Sequence, residues 1–317
     1  MHRLASLVTL LLALPAAALD IEFVAVRNPG NPCDTQAQGC FGAVGYDYAV
    51  SKYEITNAEY VQFLNEVANQ VDAFELYNPS MPGIDFPLVP PGNERFYVLQ
   101  PGWENKAVVY VSFYDALRFA NWLHNGQPEG FQDATTTEDG AYAITPTGIA
   151  DDSIVRRFAA AFFVPSEDEW YKAAYYDATL PGYNDFPAGD DAGTTCAVPS
   201  SLPNIANCDL AVGAQTEVGA YTGSPSPYGT FDQGGNVWEW NEATSGSGRG
   251  LRGGAWDGFD ASELGSHIRT DADPLAHESG NTGFRVARVV PEPGRVLLVL
   301  TGALVLSAAA RRPAKAR

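Results

Sequence analysis

Three long stretches rich in turn-forming residues restrict this chain to folds with little regular secondary structure. They cover residues 73–105, 126–153 and 178–235, which are crowded with Gly, Pro, Asn, Asp, Thr and Ser. Irregular segments of this length are uncommon in compact domains unless they are functional or held in place. Because no change in composition marks a linker and no period of about 20–50 residues is present, we expect one domain of about 270 residues.

Helix start signals divide the rest of the chain. Three hydroxyl residues each stand three positions ahead of an acid, which is the capping-box spacing. These pairs are Thr56 with Glu59, Ser112 with Asp115, and Ser166 with Glu169. Apolar residues follow each pair at helical spacing, so each pair predicts a helix with one packed face. Strands are expected at 46–55, 107–112, 156–164, 250–256 and 283–290. GSGRG at 246–250 fits a hairpin turn better than a phosphate-binding loop.

The first 18 residues have the layout of a secretory signal peptide. Arg3 precedes the apolar run LASLVTLLLAL, and Ala16, Ala17 and Ala18 supply a cleavage site of small residues. A short apolar run between a basic start and a small-residue site is typical of a removable signal rather than a membrane anchor. We therefore expect residues 1–18 to be removed and the mature protein to be exported.

The other end of the chain resembles a bacterial sorting signal. VPEPG at 290–294 precedes the 15 apolar residues 296–310 and the basic tail RRPAKAR. This apolar run is shorter than the ~20 residues that span a bilayer comfortably, which favours transient membrane association over permanent anchoring. Residues 290–312 are similar to the PEP-CTERM signal, in which a Pro-Glu-Pro element, an apolar helix and an arginine cluster are recognised and cut by an exosortase. The resemblance implies a protein of the cell surface or extracellular matrix of a bacterium.

Net charge narrows the range of partners. The chain carries 19 Lys and Arg against 38 Asp and Glu. With both ends removed, 13 basic residues remain and the net charge is −25. Because phosphate binding depends on Lys and Arg, we expect no nucleic-acid partner, whereas cations are compatible with such a chain. The same charge also suits a soluble extracellular protein whose copies repel one another.

Four cysteines, Cys33, Cys40, Cys196 and Cys208, lie in a chain predicted to enter an oxidising compartment. Two disulfides are therefore expected, with three possible connectivities. Each local pair, Cys33 with Cys40 and Cys196 with Cys208, brackets a loop rich in Gly, Pro, Asn or Asp, which favours these two bonds. The sequence has no CxxC pair, and a structural zinc site is disfavoured.

The segment YGTFDQGGNVWEW at 228–240 holds an acid, Glu239, between two tryptophans. Trp238 and Trp240 are expected to anchor the segment to a core. The upstream glycine pair permits unusual backbone conformations, and Asp232 adds a second carboxylate. Such a loop can direct oxygen atoms inward, as calcium requires. The alternative is a buried turn whose acid caps backbone amides.

Six blocks of the sequence resemble, in order, the conserved segments of the sulfatase-modifying-factor, or formylglycine-generating-enzyme-like, family. They are YEITNAEYVQFLN, VVYVSFYDALRFANWL, FFVPSEDEWYKAAYYD, YGTFDQGGNVWEW, LRGGAW and TGFRVAR, and the match extends over residues 21–288. The resemblance implies a single α+β domain of the C-type-lectin-like kind, with low regular secondary structure and many ordered loops.

The resemblance also implies structural calcium. At the positions that match the family's calcium loop, the ligands would be the side chains of Asp232 and Glu239 and the backbone carbonyls of Gly235 and Val237. A second family site begins at an Ala-Asn pair, which Asn207 matches. The segment that should close this second site is shorter here, so only Asn207 is carried over.

The residues that carry the family's reaction are missing. That reaction converts a cysteine of sulfatases to formylglycine and uses copper held by two thiolates, because soft sulfur selects Cu(I). The two matching positions are Gly258 and Glu263, and neither can supply a thiolate. We therefore expect no copper, no other catalytic cofactor and no catalytic residue of the family type.

Two functions of different classes follow. The first is a non-catalytic scaffold that binds an extracellular peptide or glycan, since a fold does not fix a function. The second is a divergent metal-dependent oxidoreductase that modifies a protein or a sulfur-containing substrate. For the second function, His267 and His277 would supply metal ligands, with Asp271 or Asp273 as a carboxylate partner.

Overall fold

The computed structural model describes residues 18–87, 96–189 and 191–290. Residues 1–17 of the predicted signal peptide and residues 291–312 of the predicted sorting signal lie outside these ranges. Among the residues described, no helix has both the length and the apolar character needed to cross a membrane.

Four α-helices are present in the described ranges. They are α1 (Asn57–Val67), α2 (Phe113–His124), α3 (Pro146–Ala150) and α4 (Glu167–Tyr175). The capping boxes predicted at Thr56, Ser112 and Ser166 all form, so that each hydroxyl accepts a hydrogen bond from the amide three residues on and the acid there accepts one from the cap amide. The three helix predictions are confirmed.

The strands are short. In chain order they are β1 (Phe23–Val26), β2 (Asp34–Gln36), β3 (Gly39–Phe41), β4 (Tyr48–Ser51), β5 (Ile84–Asp85), β6 (Val98–Leu99), β7 (Phe162–Phe163), β8 (Tyr176–Asp177), β9 (Gly182–Tyr183), β10 (Thr195–Cys196), β11 (Ile205–Ala206), β12 (Trp238–Ser245), β13 (Gly248–Arg252), β14 (Thr270–Ala272), β15 (Thr282–Gly283) and β16 (Ala287–Val289). A 3₁₀ turn, Ala261–Leu264, lies between β13 and β14.

Two four-stranded sheets organise the domain. The first has the order β1-β4-β16-β7 and is antiparallel, so both ends of the described chain meet in it. The second has the order β14-β13-β12-β15, in which β12 and β15 are parallel and the other pairs antiparallel. Strands β12 and β13 form a hairpin that turns at Gly246, which has a φ of 62°. The hairpin expected at GSGRG is confirmed.

An aromatic core joins the helices to the chain between β15 and β16. The ring centroid of Phe119 on α2 lies 5.3 Å from that of Phe63 on α1 and 5.4 Å from that of Phe284. All three side chains are buried. Edge-to-face aromatic pairs of this kind each add about 0.5–1.5 kcal/mol to the area they bury. This packing fixes the position of the next residue, Arg285.

The prediction of a strand at 107–112 is wrong. Val108 donates a backbone hydrogen bond to Ile55 and Ala107 makes an isolated bridge, but no strand follows. Tyr110 has a φ of 59°, which turns the chain before the helix cap at Ser112. This single left-handed residue interrupts an apolar run that is otherwise typical of a buried strand.

The two local disulfides are confirmed. Cys33 pairs with Cys40 across the β2–β3 hairpin, and Cys196 pairs with Cys208. The second bond ties β10 to the loop after β11, within one of the long irregular stretches. A bond that closes a loop of this size stabilises by about 3 kcal/mol on the chain-entropy account.

Candidate functional site

The two tryptophans of the 228–240 segment lie on β12 and differ in burial. Trp240 is fully buried, and its indole N–H donates to the carbonyl of Val111 at 3.0 Å. Trp238 is half-buried and packs at the edge of the core. Because side chains alternate along a strand, Glu239 points to the opposite face of β12.

Glu239 is buried and bonded by two other side chains. Arg285 donates through Nε to Oε2 and through Nη2 to Oε1, both at 2.6 Å, and the indole N–H of Trp170 donates to Oε2 at 2.6 Å. Both members of the ion pair have no exposed side-chain surface. A bidentate arginine with a further donor supplies the partners that a buried carboxylate needs.

Two more carboxylates lie beside this ion pair. Asp232 Oδ2 accepts from the backbone N–H of Gly219, and Glu54 Oε1 accepts from Asn236 Nδ2 at 3.0 Å. The second oxygen of Glu54, Oε2, is buried and has no hydrogen-bond partner. Burial raises the pKa of Glu54 well above its ordinary value, and the negative charges of Asp232 and Glu239 raise it further. Burial also raises the pKa of Asp232.

The composition of this buried cluster is compatible with a divalent cation. Glu54, Asp232 and Glu239 place three buried carboxyl groups beside the single positive charge of Arg285. Calcium accepts carboxylate and carbonyl oxygen in mixed sets, and an unpartnered buried oxygen is available. Among the residues that the structure describes, no three His, Cys, Asp or Glu side chains converge on one point, so backbone oxygen would have to complete the shell.

Asn207, carried over for the second calcium site, is buried beside the same loop. Its Nδ2 donates to the carbonyl of Ala214 at 2.9 Å and to Asn236 Oδ1 at 3.3 Å. Its Oδ1 is buried without a partner. The amide oxygen is therefore free to bind a cation, although the structure assigns it no second side-chain ligand.

The positions that the family gives to its two thiolates meet in an open cleft. A Cβ placed on Gly258 would lie 2.4 Å from Glu263 Oε2. The cleft has a volume of about 520 Å³ and is lined by residues of strands β12 to β15 and their connections. The lining residues are Trp238, Leu251, Asp257, Gly258, Phe259, Glu263, Ile268, Thr270, Asp271, Ala272, His277, Asn281 and Thr282. All four cysteines of the chain are in disulfides, and none lines this cleft.

The charge of the cleft is negative. Asp257, Glu263 and Asp271 line it, whereas no Lys or Arg does. Phe259 stands at the cleft with 92% of its surface exposed. Asp257 accepts from Asn281 Nδ2 at 3.0 Å, which fixes its carboxylate. The cleft therefore offers aromatic faces and hydrogen-bond acceptors to a ligand.

The histidines considered as metal ligands do not lie together in the cleft. His277 lines it, with Nε2 at 3.0 Å from Thr282 Oγ1, and burial lowers its pKa. Asp271 lines it as well. His267 lies against Gly265 and does not line the cleft, and Asp273 instead accepts hydrogen bonds from two backbone amides.

Sequence reasoning missed three residues of the buried cluster: Glu54, Trp170 and Arg285. A signal was present for two of them, because Glu54 and Arg285 are charged residues inside the apolar runs YEIT and GFRVA. A charge surrounded by buried positions needs a partner of the opposite sign. The sequence did not indicate that the partner of Arg285 is Glu239, since the two are 46 positions apart.

Comparisons with known proteins agree with this architecture. The sulfatase-modifying factor enzyme 1-like domain matches residues 43–290. Among solved structures, Treponema denticola variable protein 1 is similar with 20% identity and a TM-score of 0.55, over 87% of this chain and 98% of that one. The structure of CarF is similar with 17% identity and a TM-score of 0.53, over 86% of this chain and 100% of that one. No curated protein matches the sequence significantly. At these identities the structural likeness shows the fold alone, an α+β domain of the C-type-lectin-like kind with little regular secondary structure.

Proposed function

This chain belongs to the sulfatase-modifying factor family, and we propose that it is a branch of the family that binds a ligand without transforming it. The observation that carries the proposal is the pair Gly258 and Glu263. These residues adjoin in the cleft where two thiolates would have to meet. The scaffold of the site is retained, while the sulfur atoms that hold copper are absent.

The lining of the cleft indicates which ligands it takes. Three carboxylates without a lining Lys or Arg repel anions, so acidic glycans and acidic peptides are disfavoured. Trp238 and Phe259 offer aromatic faces, which attract cationic groups and pack against flat apolar surfaces. We expect an extracellular peptide with basic residues or a neutral glycan.

Binding to arrays of basic peptides and neutral glycans tests this proposal. The variant Phe259→Ala removes an exposed ring of the cleft and should weaken binding without lowering the melting temperature. The matched control is Phe158→Ala, because Phe158 is also fully exposed but does not line the cleft. Equal affinity of both variants for every bound ligand would place the binding surface elsewhere.

The location of the protein is part of the same proposal. We infer export by the signal peptide, transient membrane association through the apolar helix of the tail, and cleavage by an exosortase-type enzyme. Two disulfides support an oxidising, extracellular compartment. The protein would then remain at the cell surface or in the extracellular matrix.

We further propose that calcium stabilises the scaffold. Asp232, the carbonyls of Gly235 and Val237, and Glu239 would hold the ion, with Asn207 contributing to a second one. Three buried carboxyl groups beside a single arginine support the first site, and the unpartnered Oδ1 of Asn207 supports the second. Calcium would supply charge neutralisation and would hold the loops in place, with no part in a reaction.

A further inference from the structure

Glu54 has a buried carboxyl group beside the 232–239 segment, which contains the ligands proposed for calcium. It precedes the N-cap of α1 and has 1% of its surface exposed. Asn236, which lies between Gly235 and Val237, donates to its Oε1 at 3.0 Å, while Oε2 accepts from nothing. Leaving a buried polar atom unpartnered costs about 1–3 kcal/mol. A ligand for this oxygen would remove that cost.

Arg285 cannot supply the missing partner. A guanidinium has five N–H groups. Those of Arg285 donate to Glu239 twice, to Phe231, to Ser51 and, at the long distance of 3.5 Å, to Lys52. None of its donors is therefore left for Glu54.

Glu239, in contrast, has little capacity left for a cation. Its Oε2 accepts from both Arg285 and Trp170, and its Oε1 accepts from Arg285. Because each carboxylate oxygen has two lone pairs, only one lone pair, on Oε1, remains for a metal ion. Glu239 could thus bind calcium through one oxygen at most.

From these contacts we propose that Glu54 is a calcium ligand, acting with Asp232, and that Glu239 is mainly a positioning residue that holds Arg285 and Trp170. The proposal rests on the calcium site inferred above, and it adds a ligand from a segment 178 positions ahead of Asp232. Calcium at this point would join the start of α1 to the 232–239 loop.

Calcium titration of the chelator-stripped protein tests the assignment, with the melting temperature and the Kd measured by calorimetry as readouts. Glu54→Gln keeps the shape of the side chain and an acceptor for Asn236. It should weaken calcium binding by at least about tenfold, the lower limit for losing even an outer partner of a metal site. Its melting temperature without calcium should equal or exceed that of the wild type, because a buried carboxyl group next to two other acids is gone. The control Glu22→Gln, at an exposed ion pair with Lys52, should leave the Kd unchanged.

Glu239→Gln separates the two roles. It breaks the pair with Arg285, so the melting temperature should fall by a similar amount with and without calcium. An unchanged Kd in Glu54→Gln would overturn the assignment of Glu54, and so would wild-type protein that binds no calcium. If Glu54→Gln does not fold, Glu54→Asp, which keeps the charge but shortens the side chain, should fold and bind calcium more weakly than wild type, and wild-type affinity would overturn the proposal. Ligand binding in the cleft is measured separately, so failure here leaves that function open to its own test.

Discussion

Arg285 and Glu239 form a fully buried ion pair through two hydrogen bonds of 2.6 Å. The pair connects the two main sheets, because Glu239 belongs to β12 of the second sheet while Arg285 also donates to Ser51 at the end of β4 in the first. The 228–240 segment is thus anchored by a tryptophan on one face and by an arginine on the other. This anchoring places the strands that line the cleft.

Removing the arginine should destabilise the whole domain. In Arg285→Met the carboxylate of Glu239 stays buried without its counter-charge, which typically costs about 3–5 kcal/mol. The free energy of unfolding in urea measures the loss. Lys52→Met is the matched control, because its pair with Glu22 is exposed and should contribute less than about 1 kcal/mol. Similar losses in the two variants would contradict the structural role of the pair.

A second buried acid makes stability depend on pH. Glu242 accepts from the hydroxyl of Tyr142 and lies 3.2 Å from Arg156, and burial raises its pKa from 4.5 to about 7 despite this arginine. Between these two values the folded protein binds more protons at this site than the unfolded chain, so the free energy of unfolding falls as the pH rises. The fall amounts to roughly 3 kcal/mol, at about 1.4 kcal/mol for each pKa unit.

Glu242→Gln should flatten that part of the pH profile. Urea unfolding from pH 4.5 to 7.5 gives the free energy of unfolding of each protein. With rising pH, the free energy of the wild type should decline relative to that of the variant. Glu22→Gln controls for the loss of one exposed charge. Parallel profiles of wild type and Glu242→Gln would show that the pKa of Glu242 is not raised in the folded protein.

Processing at both ends can be read from the mass of the exported protein. We expect the mature chain to begin at Leu19 and to lack residues beyond the VPEP region. Two hydrogen bonds hold the backbone of Leu19 in place: its N donates to Gln127 Oε1 at 2.6 Å, and Gln127 Nε2 donates to its carbonyl at 3.0 Å. Intact mass spectrometry of material from a host with an exosortase should show both cuts. An intact Arg317 on that material would contradict the sorting signal.

Local features of the fold were predictable because their causes are local. The boxes at Thr56, Ser112 and Ser166 each lie within four residues, and the disulfide Cys33–Cys40 closes one hairpin. The strand at 107–112 was not predictable in this way. No strand forms there because the backbone of Tyr110 is left-handed, a conformation that tyrosine disfavours.

Some residues of the candidate site could likewise be predicted from the sequence, and others could not. Gly258 and Glu263 could be located from the order of conserved blocks, and the structure places them together in the cleft. The contacts of Glu239 could not be found from the sequence, since Trp170 and Arg285 reach it from other segments. The roles of buried charges depend on tertiary contacts between distant positions, which periodicity and spacing do not encode.

The absence of thiolates in the cleft is the central claim, and Cu(I) titration of the exported protein tests it most directly. The double variant Gly258→Cys with Glu263→Cys is the positive control, because the two positions adjoin and the carboxylate that would crowd a new Cβ is removed. We predict no tight stoichiometric Cu(I) binding by the wild type and tight binding of one ion by the double variant. Tight binding by the wild type that is lost in His277→Ala would contradict the account and would favour a metal-dependent oxidoreductase.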